Sequence, residues 1–468
     1  MKFTVPTLYD YVFPNLVLPN ALFKEQGMIE FIRSRYSYDS DENTLLQQSF
    51  GVTEQTLAGK MFSGELGNYP NSLSSTHLNS PLYKSKFDVQ ADSIFYGKYK
   101  FNKYIYPINM TPHIDVFSGV SENGSKLDGE YFWKHMSSIA LTDARNGTAT
   151  ILLDYAEENF IGKETFLALH KALEHSKIPK ENVVLALNSF NAQEVYESWF
   201  TPEERRLEVK NWPFVMSNTS FEYAMNPKRC MSEPEFNNSK YIVRKNHFIF
   251  KVRRPRDHRL VLLSRFASDG LLDKGDWSCL TPVSNTALLN HILHEYNVTV
   301  DNTKVEEILK QTPHRLQSEQ SANYDIVSAW TDNNPESYSN SYLYVCTETY
   351  THEGYTSLTE KVFKPIANYQ PFVFMAYPGA LKMLQKLGFK TFHPFINESY
   401  DNESDKAKRL DMIYSEVTRL CNMPIEELHE WFWNLEDILV HNRNHFISIW
   451  DKEQGNLDFV EFLRGRCI

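Results

Sequence analysis

Much of what usually sorts a protein into a chemical class is missing from this 468-residue chain. Its five cysteines, Cys230, Cys279, Cys346, Cys421 and Cys467, are odd in number, scattered, and form no C-x-x-C pair. That argues against a disulfide framework or a zinc site and fits a reducing compartment. No run of 18 apolar residues occurs, and the opening Met1-Lys-Phe-Thr-Val-Pro-Thr7 has no apolar segment of the signal-peptide kind. The expectation is a soluble, cytoplasmic protein without membrane insertion. Positive charge is in deficit: 48 basic against 59 acidic residues give a net charge of −11. A general nucleic-acid coat protein is basic, so that class is disfavoured, although a local basic groove is compatible with the total. There is no G-x-x-x-x-G-K-[ST] loop and no G-x-G-x-x-G turn. Those absences disfavour a P-loop NTPase and a dinucleotide oxidoreductase.

What is present is globular. Apolar residues make up 42% and charged residues 23%, and the length exceeds one ordinary core, so at least two domains are expected. Aromatics reach 14%, with 26 Tyr and 31 Phe, most of them expected in cores and half-buried strands. Residues 1–100 show short aromatic runs such as Ser93-Ile-Phe-Tyr-Gly97 and read as irregular structure with some helix. Regular alternation begins near 150. Thr150–Asp154 is a short apolar run closed by a carboxylate, the mark of a buried parallel strand. A helical pattern follows over Gly162–His175, then a strand at Val183–Leu187 closed by Asn188-Ser189, then a helix over Val195–Leu207. After a polar stretch at 225–246 the alternation resumes. Strands are expected at Phe248–Val252, Leu343–Cys346 and Pro371–Met375, and helices over 257–268, 359–368 and 379–387. Such alternation predicts doubly wound α/β sheets. The expected domains are 1–245, 246–425 and a helical tail 426–468, whose apolar stripe includes Leu428, Trp431, Phe432 and Leu435.

Two segments carry candidate chemistry. In the first, the strand Tyr342–Cys346 leads through Glu348-Thr349, Tyr355 and Ser357 to Thr359-Glu360-Lys361 at a helix start. Thr359 is a good N-cap residue, and a helix N-terminus there favours an anion, most simply a phosphate. Lys361 adds a cation, and Glu360 an acceptor suited to ribose hydroxyls. In the second, Lys251-Val-Arg-Arg-Pro-Arg-Asp-His-Arg259 runs from a strand through a basic loop into a helix, with Asp257 able to cap it. Arginines in such a place hold phosphate oxygens in fork geometry. The blander alternatives are a surface helix with a capping threonine and a solvated basic cluster.

The Thr-Glu-Lys segment, from Tyr342 to Gly379, resembles the donor-binding motif of α1,3-fucosyltransferases and of related glycosyltransferases of phages and large DNA viruses. The order is the same: aromatic-rich strand, loop, Thr-Glu-Lys, helix, Pro-led apolar strand. The basic segment is similar to that group too, with Arg-Pro-Arg, a His-Arg pair, then Gly270-Leu-Leu-Asp273. The resemblance implies two facing Rossmann-like domains, the GT-B architecture, with C-terminal helices that often cross back to the first domain. It implies a nucleotide-diphosphate sugar held by the second domain, with Arg256, His258, Arg259, Glu348, Thr349, Tyr355, Ser357, Thr359, Glu360 and Lys361 around it. Two departures stand out. Glu348-Thr349 replaces the usual Glu-Asn, and Ser357 stands where an aromatic is usual, with Tyr355 a substitute if the loop is longer. The donor base and sugar are therefore not assigned.

The same group implies an inverting displacement at a hydroxyl of a glycan or of a hydroxymethylated pyrimidine in phage DNA. The location would then be the host cytoplasm. A DNA acceptor needs a basic groove, for which 204–210 and 240–254 with Trp199 and Trp212 are the candidates. No cofactor or metal is expected, since no Asp-x-Asp lies between apolar strands and Lys361, Arg259 and helix dipoles can meet the leaving charge. The base would come from the first domain: Asp154 or Glu157, with Glu158, His113 and Asp115 as further candidates. Glu398 and Asp401, in Asn397-Glu-Ser-Tyr-Asp401, are either donor-hydroxyl contacts or, for Ser399 and Asp401, caps of a helix starting near Ser404. The rival reading is a non-catalytic viral binding or structural protein that keeps a decayed form of this fold.

Overall fold

The computed structural model describes residues 3–9, 87–93, 103–109, 138–156, 162–204, 207–283, 285–316, 335–351, 354, 356–452 and 454–466. The chain divides into two compact units, Met1–Phe214 with Gln454–Ile468, and Val215–Glu453.

The first unit is built on a six-stranded sheet ordered β2-β1-β3-β4-β5-β6, parallel at every pairing. Its strands are β1 (Phe3–Tyr9), β2 (Phe87–Ser93), β3 (Tyr104–Asn109), β4 (Ala149–Tyr155), β5 (Val183–Leu187) and β6 (Glu208–Asn211). Helices α1 (Ser138–Asn146), α2 (Lys163–His175) and α3 (Ala192–Trp199) follow β3, β4 and β5. β4 and β5 are buried at every position, as continuous apolar runs in a parallel sheet should be. α2 buries Phe166, Leu169 and Leu173. α3 is shorter than the pattern over Val195–Leu207 predicts. Pro202 disfavours helix at the residue before it, and Thr201 instead takes the Glu204 carboxylate on its N–H at 2.8 Å. The strands β1 and β2 were not legible in residues 1–100. They pair Phe3 with Phe87 through Tyr9 with Ser93, a contact between distant segments that no local pattern announces.

The second unit carries a four-stranded parallel sheet ordered β10-β9-β7-β8: β7 (Asn246–Val252), β8 (Gly275–Cys279), β9 (Ser341–Thr347) and β10 (Phe372–Met375). Its helices in chain order are α4 (Phe214–Met225), α5 (Glu233–Asn238), α6 (Asp257–Ser268), α7 (Thr286–Glu295), α8 (Asn302–Leu309), α9 (Pro335–Ser339), α10 (Glu360–Ala367), α11 (Ala380–Lys386), α12 (Lys406–Cys421), α13 (Ile425–Trp433) and α14 (Glu436–Lys452). A last helix, α15 (Gln454–Gly465), belongs to the first unit. The sequence showed β7, β9, β10, α6, α10 and α11 but not β8. Its Gly-Asp-Trp-Ser-Cys is too short and polar to read as a strand. Gly275 is fixed there by crowding, because a Cβ would lie 2.6 Å from the Phe248 ring across the pair.

The units divide at 214/215 rather than in the polar stretch near 245. Residues 215–245 fold against the second unit: Ser220 Oγ donates to the Phe446 carbonyl at 2.5 Å, Met231 N–H to Asn368 Oδ1 at 2.9 Å, and Phe236 stacks on Tyr369 at 4.2 Å. The helical tail also divides. α14 packs on α10, with Phe446 stacked on Phe363 at 5.1 Å, while α15 packs on β1 and β6 and stacks Phe459 on Trp212 at 4.5 Å. Among the described residues no helix is long and apolar enough to cross a membrane, and the four described cysteines are buried and unpaired.

Candidate functional site

In the second unit the chain leaves β7 through α6 to β8 on one side, and β9 leads through α10 to β10 on the other. The winding therefore reverses between the carboxyl ends of β7 and β9. Ligands of open α/β sheets bind at such a reversal, in the crevice beyond the strand ends. Both candidate segments end there, one after β7 and one after β9.

From the β7 side, the first turn of α6 places His258 and Arg259 against the end of β9, and both are buried. Arg259 Nε donates to Thr347 Oγ1 at 3.1 Å, Nη2 to the carbonyls of Thr347 and Glu348 at 3.0 and 3.1 Å, and Nη1 to the Arg254 carbonyl at 3.1 Å. These four bonds occupy four of the five N–H groups of a guanidinium. His258 Nε2 lies 2.8 Å from the Glu348 carbonyl. A carbonyl only accepts, so Nε2 carries the hydrogen. Burial, with Arg259 beside it, lowers the His258 pKa to about 3, and the ring is neutral at ordinary pH. Arg259 has no carboxylate within ion-pair distance among the described residues. Carbonyl oxygens and the Thr347 hydroxyl hold it; burial lowers its pKa, and the nearby Glu348 charge opposes that shift. Arg256 is the N-cap residue of α6, its guanidinium 5.6 Å from the Tyr350 ring centre.

From the β9 side, Thr359 caps α10 as the sequence predicts, its Oγ1 3.5 Å from Lys361 N. The anion at this helix start is internal. The Glu348 carboxylate, only 1% exposed, accepts from Thr359 N–H at 3.1 Å, from Thr359 Oγ1 at 2.8 Å, and from Thr349 N–H at 3.2 Å. Glu348 thus ties the strand end to the helix start and is not an open contact. Lys361 Nζ lies 3.7 Å from Glu348 Oε2, 3.1 Å from Glu360 Oε1 and 3.1 Å from Thr359 Oγ1. Burial opposes the ammonium, but Glu360 and Glu348 outweigh it and raise the Lys361 pKa. Burial likewise opposes the Glu360 carboxylate, and Lys361 with Lys364 overcomes it and lowers its pKa. The Lys361 and Glu360 side chains remain 25% and 12% exposed, more open than Glu348 at 2%.

The remaining candidates scatter. Ser357 is buried, Thr349 is half-buried, and Tyr355 lies outside the described residues. Glu398 is a largely buried carboxyl, raised in pKa first by burial, that accepts from Phe392 N–H at 2.5 Å. It lines a cavity of about 310 Å³ with Lys382, Gln385, His393 and Asp401, which neither Arg259 nor Lys361 lines. Asp401 and Ser399 do not cap the following helix. Asp405 does, accepting from Ala407 and Lys408 N–H at 2.8 and 3.0 Å. Asp401 caps the preceding α11 instead, through Leu381 and Lys382 N–H at 2.9 and 3.2 Å.

In the first unit Asp154 is fully buried near the carboxyl end of β4, between Asn109 and Ala186 in register, and accepts from Ala156 N–H at 3.3 Å. Glu157, Glu158, His113 and Asp115 lie outside the described residues. Trp212 is fully buried and stacked on Phe459, so it offers no platform for a base, and Lys210 is paired with Glu208 at 3.0 Å.

Sequence reasoning missed two residues at the second-unit site. Thr347 supplies the hydroxyl that orients Arg259. Arg409 on α12, 1% exposed, donates to the Glu403 and Ser404 carbonyls at 2.5 and 3.3 Å and to the Thr351 carbonyl, anchoring the loop after β9. A lone arginine in a distant helix gives no signal of that duty.

The sequence matches no protein-family model and no curated protein. Among solved structures it is similar to one described as trehalose-6-phosphate from E. coli bound with UDP-2-fluoro glucose, at 12% identity over 93% of this chain and 85% of that one, with a TM-score of 0.36. The α,α-trehalose 6-phosphate synthase of Burkholderia multivorans is 14% identical over 70% and 69%, with a TM-score of 0.34. The UDP-forming α,α-trehalose-phosphate synthase of Burkholderia xenovorans in complex with glucose-6-phosphate is 13% identical over 70% of each chain, also with a TM-score of 0.34. The fold is read from the strand orders themselves: mixed α/β, with two all-parallel, Rossmann-like units.

Proposed function

We propose that this protein is a nucleotide-sugar-dependent glycosyltransferase of the GT-B class, moving a sugar from a nucleotide-diphosphate donor to an acceptor hydroxyl with inversion and without a metal. One observation carries the reading. Arg259 and Lys361, distant in sequence, converge on Glu348 where the second sheet reverses its winding. Arg259 is a buried positive charge held by carbonyl oxygens and the Thr347 hydroxyl, with no carboxylate in direct ion-pair contact among the described residues. Lys361 is the more open cation and would touch the diphosphate. Glu360, held ionised beside it, would accept from ribose hydroxyls. Arg256 would extend the cationic rim.

In this reading the ammonium and the guanidinium field stabilise the departing diphosphate as the bond to the sugar breaks. Asp154 takes the proton from the acceptor hydroxyl as that oxygen attacks the anomeric carbon from the opposite side. Glu157, His113 and Asp115 are the other candidates for the base. Glu398 and Asp401 are spent mainly on backbone N–H groups, so their part in holding the sugar is secondary. The acceptor is a glycan or a hydroxymethylated pyrimidine in DNA. Burial of Trp212 favours the glycan.

The test is a thermal-shift panel of GDP-, UDP- and CMP-linked sugars followed by a donor-hydrolysis assay. A selective rise in melting temperature with hydrolysis is expected. No shift with any nucleotide would instead leave the non-catalytic reading, a binding protein with a decayed fold.

A further inference from the structure

The strand end beside the site carries a buried hydroxyl that the function proposed above does not use. Tyr377 stands two residues past β10, is 5% exposed, and its hydroxyl has no hydrogen-bond partner among the described residues. Three other buried tyrosines of this unit have partners. Tyr342 meets His429 Nδ1 at 2.8 Å, Tyr400 accepts from Phe374 N–H at 3.2 Å, and Tyr414 donates to Asp269. An unsatisfied buried hydroxyl costs about 1–3 kcal/mol, so its persistence asks for a reason.

Its position gives one. β10 lies beside β9 with Met375 opposite Thr347, and Glu348 N–H donates to the Met375 carbonyl at 2.9 Å. The chain therefore carries Tyr377 past the strand end next to Glu348. The backbone that holds the ring is fixed: Gly379 N–H donates to the Asp401 carbonyl at 2.7 Å and Ala380 N–H to the Tyr377 carbonyl at 3.3 Å. Gly379 sits at φ +84°, where a side chain would be strained. Burial raises the phenol pKa, and the Glu348 and Asp401 carboxylates push the same way, so the group stays a neutral O–H donor. Those carboxylates are already engaged, Glu348 by Thr359 and Lys361, and Asp401 by the N–H groups of Leu381 and Lys382. Neither is free to take the hydroxyl, and their repulsion of an incoming anion is blunted.

We propose that the Tyr377 hydroxyl is a ligand-binding donor, completing its hydrogen bonding on a phosphate oxygen of the nucleoside diphosphate that Lys361 holds. The inference rests on the function proposed above. The ammonium supplies charge without direction, and the phenol supplies a directed neutral bond from the neighbouring strand end.

Tyr377→Phe removes the hydroxyl alone. Melting temperature without ligand, and calorimetric titration with GDP, UDP, ADP and CDP, should be compared between this variant and the wild-type full-length chain. The expected result is an unchanged or raised melting temperature, since no bond in the free protein is lost, with diphosphate binding weakened about tenfold. Affinity within twofold of wild type overturns the proposal alone, and so does a ligand-free melting temperature several degrees lower, which would make the hydroxyl a structural group. Failure of the wild-type chain to bind any of the four removes the donor reading itself, and this inference with it.

Discussion

Arg259 and Lys361 grip the same residue from opposite ends. The guanidinium donates to the Glu348 carbonyl at 3.1 Å, and the ammonium lies 3.7 Å from the Glu348 carboxylate. The two cations do different work. Arg259 is buried, and its donors are turned inward to the strand end, so it builds the frame and leaves its charge beneath the site. Lys361 is a quarter exposed. The sequence reading placed a diphosphate on the start of α10. The structure puts the Glu348 carboxylate on the Thr359 N–H there, so under the proposed function the diphosphate falls to the Lys361 side chain.

Removing Arg259 should therefore cost stability before it costs affinity. Arg259→Ala leaves the Thr347 and Glu348 carbonyls buried without this donor, a loss of about 2–4 kcal/mol in urea unfolding. Arg259→Lys should recover less than half of it, because an ammonium cannot reproduce a fork that spans two carbonyls. Full recovery by lysine would mean that only the charge matters.

His258 gives a dependence on pH. Its folded pKa, about 3, lies below the ordinary 6.5. The unfolded chain therefore binds the proton more readily, and this contribution is complete above pH 6.5 and lost as pH falls from there toward 3. The loss amounts to about 2 kcal/mol by pH 5. His258→Gln keeps an N–H donor and cannot titrate. Between pH 7 and 5 its melting temperature should fall less steeply than that of the wild type, and parallel slopes would show that the ring is not held neutral.

β7, β9 and β10 of the second unit were legible because buried parallel strands are apolar runs, and the start of α10 because Thr359 caps it. The convergence of Arg259 with Lys361 was legible only through the order of the two motifs. What escaped depends on long-range contact. β8 holds its place through Gly275 against Phe248, β1 through pairing with Phe87–Ser93, and Arg409 reaches Thr351 from α12. Glu348 was assigned an open role because sequence shows a carboxylate but not the hydroxyl that captures it. Capping by Asp401 ran the other way for the same reason, since a carboxylate between two helices can cap either, and Asp405 takes the following one.

Asp154 is tested by the isosteric change. Asp154→Asn keeps an oxygen for Ala156 N–H, so the variant should fold and bind the donor as the wild type does. With the proposed base gone, turnover should drop about 10²–10⁴-fold. Retained turnover would remove Asp154 and shift attention to Glu157, His113 and Asp115.

Lys361 affects both affinity and folding. Its ion pairs reach carboxylates that are 2% and 12% exposed, so Lys361→Ala, which leaves them without that cation, should lower the melting temperature as well. The charge-assisted bond proposed between it and the diphosphate would be lost too, and affinity should fall about 10–100-fold in calorimetry. Wild-type binding should weaken as salt is raised, and the variant should weaken less, because the screened partner is gone. Glu360→Gln makes the complementary case: it should preserve the salt dependence while losing discrimination against a deoxyribose nucleotide. A Lys361→Ala variant that binds nucleoside diphosphates like the wild type would show that the anion rests elsewhere on this sheet edge.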